Sequence, residues 1–347
     1  MKRHKKILNK VRRKKSSDKP LDKRITNDNL AEHREEVLGT GRKHIYPLRQ
    51  SKHRLVFISA MIVLAAVFAF LAYCTVALYK TKSDSYFLYR VTKVIPFPLA
   101  RIGSDFVAYE NYLFEVKHYE HYYKTQQNLD FNSDSGKKQL QEFKKRAMEK
   151  VINDAYVKII AEERGISVSG KEVEDRIELI KSQNRIGNSD KEFEDVLREF
   201  WDWSVGDFKR SLKQQILTEK VIAELDTEAK AKAQDALKRI NASEDFAKVA
   251  KDVSEDPSTK SQGGQFGFLV SKNNRDISPQ TVEALFNLEP GEVSGVVNVG
   301  YGLEIVKNIE RKGDSIKGAH IIFNFKDINN YLGSIKDRSK TRTYISF

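Results

Sequence analysis

Residues 55–79 read LVFISAMIVLAAVFAFLAYCTVALY, twenty-five positions without a charged side chain. A helix rising ~1.5 Å per residue crosses a ~30 Å hydrocarbon core with that many residues. A buried helix of a water-soluble protein would carry a polar stripe, and this stretch has none. It predicts one transmembrane helix, with an arm before it and a long region after it.

The charge is distributed to match. The net charge is +13, and residues 1–54 hold 18 Lys and Arg against 6 Asp and Glu, while the remaining 293 residues hold 43 against 42. The basicity belongs to the arm. The positive-inside rule then predicts a single-pass protein of the cell membrane, with the N-terminus cytoplasmic and residues 81–347 extracytoplasmic. A cleaved signal peptide fits less well, because the leader and the apolar span are both long for one. In LAYC (71–74), Tyr73 stands where a lipoprotein box needs a small residue. Cys74 is the only cysteine and lies in the apolar span, which excludes intrachain disulfides and thiol catalysis beyond it. The basic run KRHKKILNKVRRKK could meet anionic lipid or nucleic acid. Without a folded core or interleaved aromatics it reads as a topology signal on a mostly disordered arm, so nucleic acid is disfavoured as a partner. GTG at 39–41 reads as a turn.

Residues 80–104 read as a connector stiffened by Pro96 and Pro98. From 105 to 225 the text is helical and amphipathic. DFVAYENYLFEVKHYEHYYK is one expected helix and KKQLQEFKKRAMEKVINDAYVKIIAEERG another, the second with an apolar stripe at three- and four-residue steps and Gly165 as C-cap. Ser169 and Glu172 have capping-box spacing. His118 and His121 share a helix face, but two such residues do not make a metal site, and no metal or cofactor is expected. Five tyrosines on that helix suit packing between helices or an aromatic groove for unfolded chains.

An ordered series follows: Phe246-Ala247, Ala250, Ser254, Ser258-Thr259, Gly263-Gly264 and Gly267, then Phe286, Leu288, Gly291-Glu292, Ser294 and Gly302. Over about 226–310 this resembles the parvulin-type (PpiC-like) peptidyl-prolyl isomerases. The anchored helical region before it resembles, more weakly, the chaperone-like half of exported foldases of the SurA, PrsA and PpiD kind. The resemblance implies an α+β fold: an N-terminal transmembrane helix, an all-α chaperone-like domain, then a four-stranded antiparallel sheet with helices. The expected boundaries are 1–54 arm, 55–79 membrane helix, 80–104 connector, 105–225 helical domain, 226–330 parvulin-like domain and 331–347 tail.

Such domains open with a short strand carrying a histidine, and no such strand precedes the helix near Asp226. GAHIIF, part of the β-branched run 318–325, carries His320 after the family's last strand. We expect a circular permutation in which this segment folds back beside LEIVKN (303–308) through ERKGDS, filling an edge that would otherwise invite aggregation. The alternatives are the start of a truncated second repeat, or pairing with another chain.

By resemblance the catalytic set is Asp256, Glu304 and His320, and the substrate-binding set Phe268, Leu269, Ile277 and Phe286. Glu304 stands where the family has a second histidine, and Val299 where it has a hydroxyl. Glu304 and Asp256 facing each other would repel unless one is protonated or a charged His320 lies between them. Structural readings stand beside these: Glu304 as a solvated strand residue, Asp256 as a turn cap, Ile277 and Phe286 as core. The expected function is isomerisation of X-Pro bonds in unfolded or newly exported polypeptides, with lipid contacted through residues 55–79. The alternative is a holdase or assembly chaperone that uses a degenerate parvulin fold to bind without turnover.

Overall fold

The computed structural model describes residues 27–45, 48–183, 185–187 and 189–347; the basic run at 2–15 lies outside them. The chain divides into two units, Met1–Tyr73 and Cys74–Phe347.

In the first unit, α1 (Asn27–Ile45) is helical where a disordered arm was expected, and it carries GTG inside the helix in place of a turn. Ala31, Glu32, Arg34, Glu35, Glu36 and Leu38 are strong helix formers, and together they outweigh two glycines. Next comes α2 (Leu48–Thr75). His53–Lys80 is helical for 28 residues, long and apolar enough to cross a membrane by length and composition. Leu55, Phe57, Ile62, Leu64 and Phe68 are all exposed.

The second unit begins inside that apolar stretch. Cys74 at the end of α2, and Ala77 and Leu78 on the π-helical turn that follows (Val76–Lys80), are buried in its first core. The stretch read as 55–79 therefore ends as protein core: the Tyr109 hydroxyl donates to the Leu78 carbonyl (2.8 Å). The connector is also structured. It forms α3 (Tyr86–Val94) and β1 (Pro98–Ile102), which pairs with β2 (Asp105–Ala108) across a two-residue turn with Gly103 at φ +57°. A left-handed first turn residue favours such a hairpin, so the helix expected from 105 starts only at Tyr109.

Five helices follow: α4 (Tyr109–Gln126), α5 (Asp134–Arg164), α6 (Gly170–Ser182), α7 (Asp190–Trp201) and α8 (Val205–Leu225). Gly165 caps α5 at φ 65°, and Ser169–Glu172 forms the capping box read from the sequence. Tyr109 and Tyr112 are fully buried, and the Tyr119 and Tyr123 rings stack on Phe143. His118 stacks on Trp203 at 4.6 Å, and its Nδ1 is buried with no hydrogen-bond partner among the described residues. Burial, then the charges of Lys150 and His121, push that imidazole down to about 4.

The remaining elements are α9 (Thr227–Asn241), α10 (Phe246–Val253), β3 (Val270–Ser271), α11 (Pro279–Phe286), β4 (Val297–Asn298), β5 (Gly302–Lys312), β6 (Ser315–Asn324), α12 (Asn329–Arg338) and β7 (Thr341–Thr343). The antiparallel sheet runs β3-β6-β5-β4. β5 and β6 pair over ten positions around Gly313-Asp314, with Val306 opposite His320 and Glu304 opposite Ile322. Strand alternation sorts the side chains. Leu303, Ile305, Ala319, Ile321 and Phe323 pack under α9 and α10, while Glu304, Val306 and His320 take the other face. A fully buried Leu, Ile or Phe contributes roughly 1.5–3 kcal/mol, so the first face holds the sheet together.

Residues 331–347, read from the sequence as a tail, return to the first core. Leu332, Ile335 and Ile345 are buried there, and β7 adds to β1 on the side away from β2. The Tyr156 hydroxyl lies 2.7 Å from both the Ser339 carbonyl and Thr341 Oγ1. The segment 226–326 is thus flanked on both sides by chain belonging to one helical core. Its two ends meet at Asp226, whose Oδ2 accepts from the Tyr331 hydroxyl and from the Lys326 amide.

Candidate active site

The sheet face opposite α9 and α10 carries a buried polar group. β6 supplies His320 and β5 supplies Glu304, diagonal neighbours within reach of each other across the pair. His320 Nδ1 meets Glu304 Oε1, and Glu304 Oε2 accepts from the Thr281 hydroxyl of α11. On the other side of the ring, Nε2 lies 2.9 Å from Asp256 Oδ2 and 2.9 Å from Thr259 Oγ1.

Asp256 is placed by the turn after α10. Ser254 and Glu255 fasten that turn to β6: the Glu255 amide donates to the Ile322 carbonyl (2.9 Å) and the Ile322 amide to Ser254 Oγ (3.3 Å). The carboxylate accepts from the Ser258 amide (3.0 Å), the Ser258 hydroxyl (2.7 and 2.9 Å) and the Thr259 hydroxyl (2.6 Å). Gly264 lets this loop lie against the histidine strand. Its φ is +80°, a Cβ there would sit 2.1 Å from the His320 carbonyl oxygen, and that carbonyl's own residue donates its amide to Gly264 (2.8 Å).

Protonation follows from this inventory. Thr259 has one proton, and it goes to Asp256, so Thr259 offers Nε2 a lone pair. Both ring nitrogens therefore face acceptors. Burial alone would push His320 down; hydrogen bonding and charge from Glu304, then from Asp256, outweigh it and hold the ring above its ordinary value of 6.5. Burial would raise Asp256, but the bonds from Thr259 and Ser258, and then His320, hold it well below the ordinary carboxylate range. The imidazole of His320 stands between the two carboxylates.

Exposure orders the three. Glu304 is 1% exposed as a side chain, His320 9% and Asp256 19%. Glu304 is not a solvated strand residue. Asp256 caps its turn and also contacts His320. Val299 is buried, and hydroxyls arrive from Ser258, Thr259 and Thr281 instead. Ser258-Thr259 stands in the family series, so Thr259 could have been singled out; nothing in the sequence linked Thr281 to Glu304.

The four apolar residues divide into two pairs. Phe268 and Leu269 are exposed, 40% and 48%. Ile277 and Phe286 are half-buried on a cluster with Phe266, Val270, Val282 and Leu285. Phe266 joins the pairs: its ring lies 4.6 Å from His320 and 5.8 Å from Phe268. Lys272 and Arg311 each approach the Phe286 ring at 5.7 Å. The arrangement is a polar core reaching the surface at Asp256, beside an apolar platform.

Comparison with known proteins agrees. The family described as PPIC-type PPIase domain (rotamase) matches residues 215–310, and the SurA-like N-terminal domain matches residues 46–222. A foldase protein PrsA of Clostridium botulinum (strain Hall) is 30% identical, over 56% of this chain and 68% of the relative. PrsA of C. botulinum strain Loch Maree is 28% identical over 53% and 65%, and that of Halalkalibacterium halodurans 39% identical over 23% of each. With its helical core, its four-stranded sheet and these matches, the chain belongs to the PrsA foldase family and carries a PPIC-type peptidyl-prolyl isomerase domain behind a SurA-like N-terminal domain.

Proposed function

We propose that the chain is a membrane-anchored extracytoplasmic foldase that isomerises X-Pro bonds in newly exported polypeptides. The charge step between residues 1–54 and the rest supports a cytoplasmic arm, and the helix from His53 supports a bilayer anchor. The isomerase domain is read as circularly permuted, with β6 serving as the histidine strand that the family places first. The meeting of the segment's two ends at Asp226 supports this, since joined ends are what a permuted insertion requires.

A prolyl bond rotates over a barrier of ~18–20 kcal/mol because amide resonance is lost at the twist. Resonance places negative charge on the carbonyl oxygen. A fixed carboxylate beside that oxygen disfavours the charge-separated form, and binding that favours the twisted amide lowers the barrier. Asp256, the most exposed of the three, takes the role facing the substrate. His320 holds it, and Glu304 with Thr281 holds His320. Phe268 and Leu269 receive the chain around the proline, and Ile277 and Phe286 back them.

The observation that carries this reading is His320 seated between Asp256 and Glu304 on the sheet face opposite α9 and α10. The test is protease-coupled isomerisation of a proline tetrapeptide by the full chain in detergent micelles. Removing Asp256 and His320 together is expected to abolish the enhancement, and an undiminished rate in Asp256→Ala/His320→Ala would sink the assignment. The holdase reading draws on one observation, that the hydroxyls of Ser258 and Thr259 are both engaged by Asp256. Its signature is suppressed client aggregation by a wild-type chain with no rotamase activity.

A further inference from the structure

The loop between β3 and α11 carries Ile277 and ends in the cap of α11. It has no regular structure from 272 to 278, and its inner bonds are few: the Asn274 side chain accepts from the amides of Asp276 (3.0 Å) and Ile277 (3.3 Å). Two of its carbonyls, and the first carbonyl of α11, are bonded from the helical domain. One terminal nitrogen of Arg185 donates to the carbonyls of Asn274 and Ile277, both at 2.7 Å. Gln183 Nε2 donates to the Pro279 carbonyl at 2.8 Å, and Gln183 Oε1 accepts from Arg185 Nε at 2.8 Å. Gln183 is 3% exposed and sits at the C-terminal cap of α6, a helix that packs on α11.

From that loop the bonds run on to the polar group. Ser278 caps α11 by accepting from the Thr281 amide (3.0 Å), and its hydroxyl lies 2.7 Å from Thr281 Oγ1. Thr281 donates to Glu304, and Glu304 meets His320. Charged donors on carbonyls are among the stronger neutral-acceptor bonds, and planar guanidinium holds two of them at a fixed angle. We infer that Gln183 and Arg185 are positioning residues of the isomerase: the SurA-like domain holds the proline-side loop of its neighbour and, through Thr281 and Glu304, the orientation of His320. This rests on the isomerase reading above. The helical domain is then part of the rotamase site as well as a surface for clients, and displacement of α6 loosens the pocket.

The test uses full-length Gln183→Ala, Arg185→Ala and Arg185→Lys in micelles. KM for the tetrapeptide is expected to rise about tenfold in Arg185→Ala and kcat to fall about threefold as His320 loses its support, with smaller changes in Arg185→Lys, which can still reach one carbonyl. Amide exchange at 277–281 is expected to quicken about tenfold, while β5 and β6 amides such as Ile305 and Ile321 keep the wild-type rate. Unchanged loop exchange overturns the inference. So does quickening at loop and sheet alike, which would make the residues merely structural. An inactive wild-type chain refutes the isomerase reading, and the exchange pattern still decides on the clamp.

Discussion

The helical core and the isomerase sheet each enclose an imidazole, and they push its basicity in opposite directions. His118 lies on Trp203 among aromatic rings, with Nδ1 unpartnered among the described residues and its basicity pushed down to about 4. His320 also stacks on an aromatic, Phe266, yet carboxylates on both sides hold its proton. Desolvation acts in the same direction on both. What differs is whether the fold supplies anions, and supplying them takes three separate chain segments: a loop after α10, a neighbouring strand, and α11 to fasten the strand's glutamate. A packing histidine needs only a helix and its neighbours. A histidine held between two carboxylates needs long-range topology.

The sharpest way to break the comparison is to remove each ring. His320→Ala is expected to lower kcat/KM about 10²-fold and to destabilise the chain by about 3 kcal/mol, because Glu304 and Asp256 are left facing each other across an apolar gap. His118→Phe keeps the stack on Trp203 and discards an unpaired nitrogen, so stability is expected to change by less than about 1 kcal/mol, with isomerisation unaltered. Denaturant unfolding with parallel kinetics measures both. Equal effects from the two variants would remove any distinction between a site histidine and a packing one.

A smaller effect tests the network. Glu304→Gln keeps the shape and Thr281's partner but withdraws one charge, and about a tenfold loss of kcat/KM is expected. In the double variant His320→Ala/Glu304→Gln, most of the stability penalty of His320→Ala should be relieved, giving a coupling of about 1–3 kcal/mol by double-mutant cycle. Additive losses would mean that the short contact does not couple the two groups.

The sequence carried the parts that depend on local pattern or on spacing. The capping box at Ser169, the C-cap at Gly165 and the hairpin at Gly313-Asp314 are each set by a few neighbouring residues, and each is where it was read. The placement of 318–325 against 303–308 followed from a strand absent at one place and present at another. The prolines at 96 and 98 hid β1, because they argue against helix, while a proline also suits the first residue of a strand, where Pro98 stands. The packing of 331–347 on the first core was hidden too, since its few apolar residues, Leu332, Ile335 and Ile345, find partners more than 170 residues earlier in sequence, such as Tyr156 bonding Ser339. The site shows the same divide. Asp256, Glu304 and His320 stand at motif positions, whereas Thr281 and Arg185 act through contacts that only the folded chain makes.

The smallest expected effect is a difference in pH dependence, and the two histidines give it opposite signs. A group held above its ordinary value stabilises the fold below that value. His320 therefore contributes fully below about 6.5, and the contribution is lost as pH rises through its folded value. His118 is held below its ordinary value, so the fold resists protonation there and loses stability as pH falls from about 6.5 toward about 4. Asp256, depressed, adds stability above its ordinary 3.8 and loses it as pH falls through its folded value. His320→Gln should erase the decline on the alkaline side and leave the acid side nearly intact, because Thr259 and Ser258 outrank His320 in depressing Asp256. His118→Phe should do the reverse, flattening the loss between about 6.5 and about 4. Unfolding midpoints measured from about pH 4 to above the folded value of His320 read both limbs for the three chains. An alkaline decline that persists without His320 would show that its proton is not held by the carboxylates beside it.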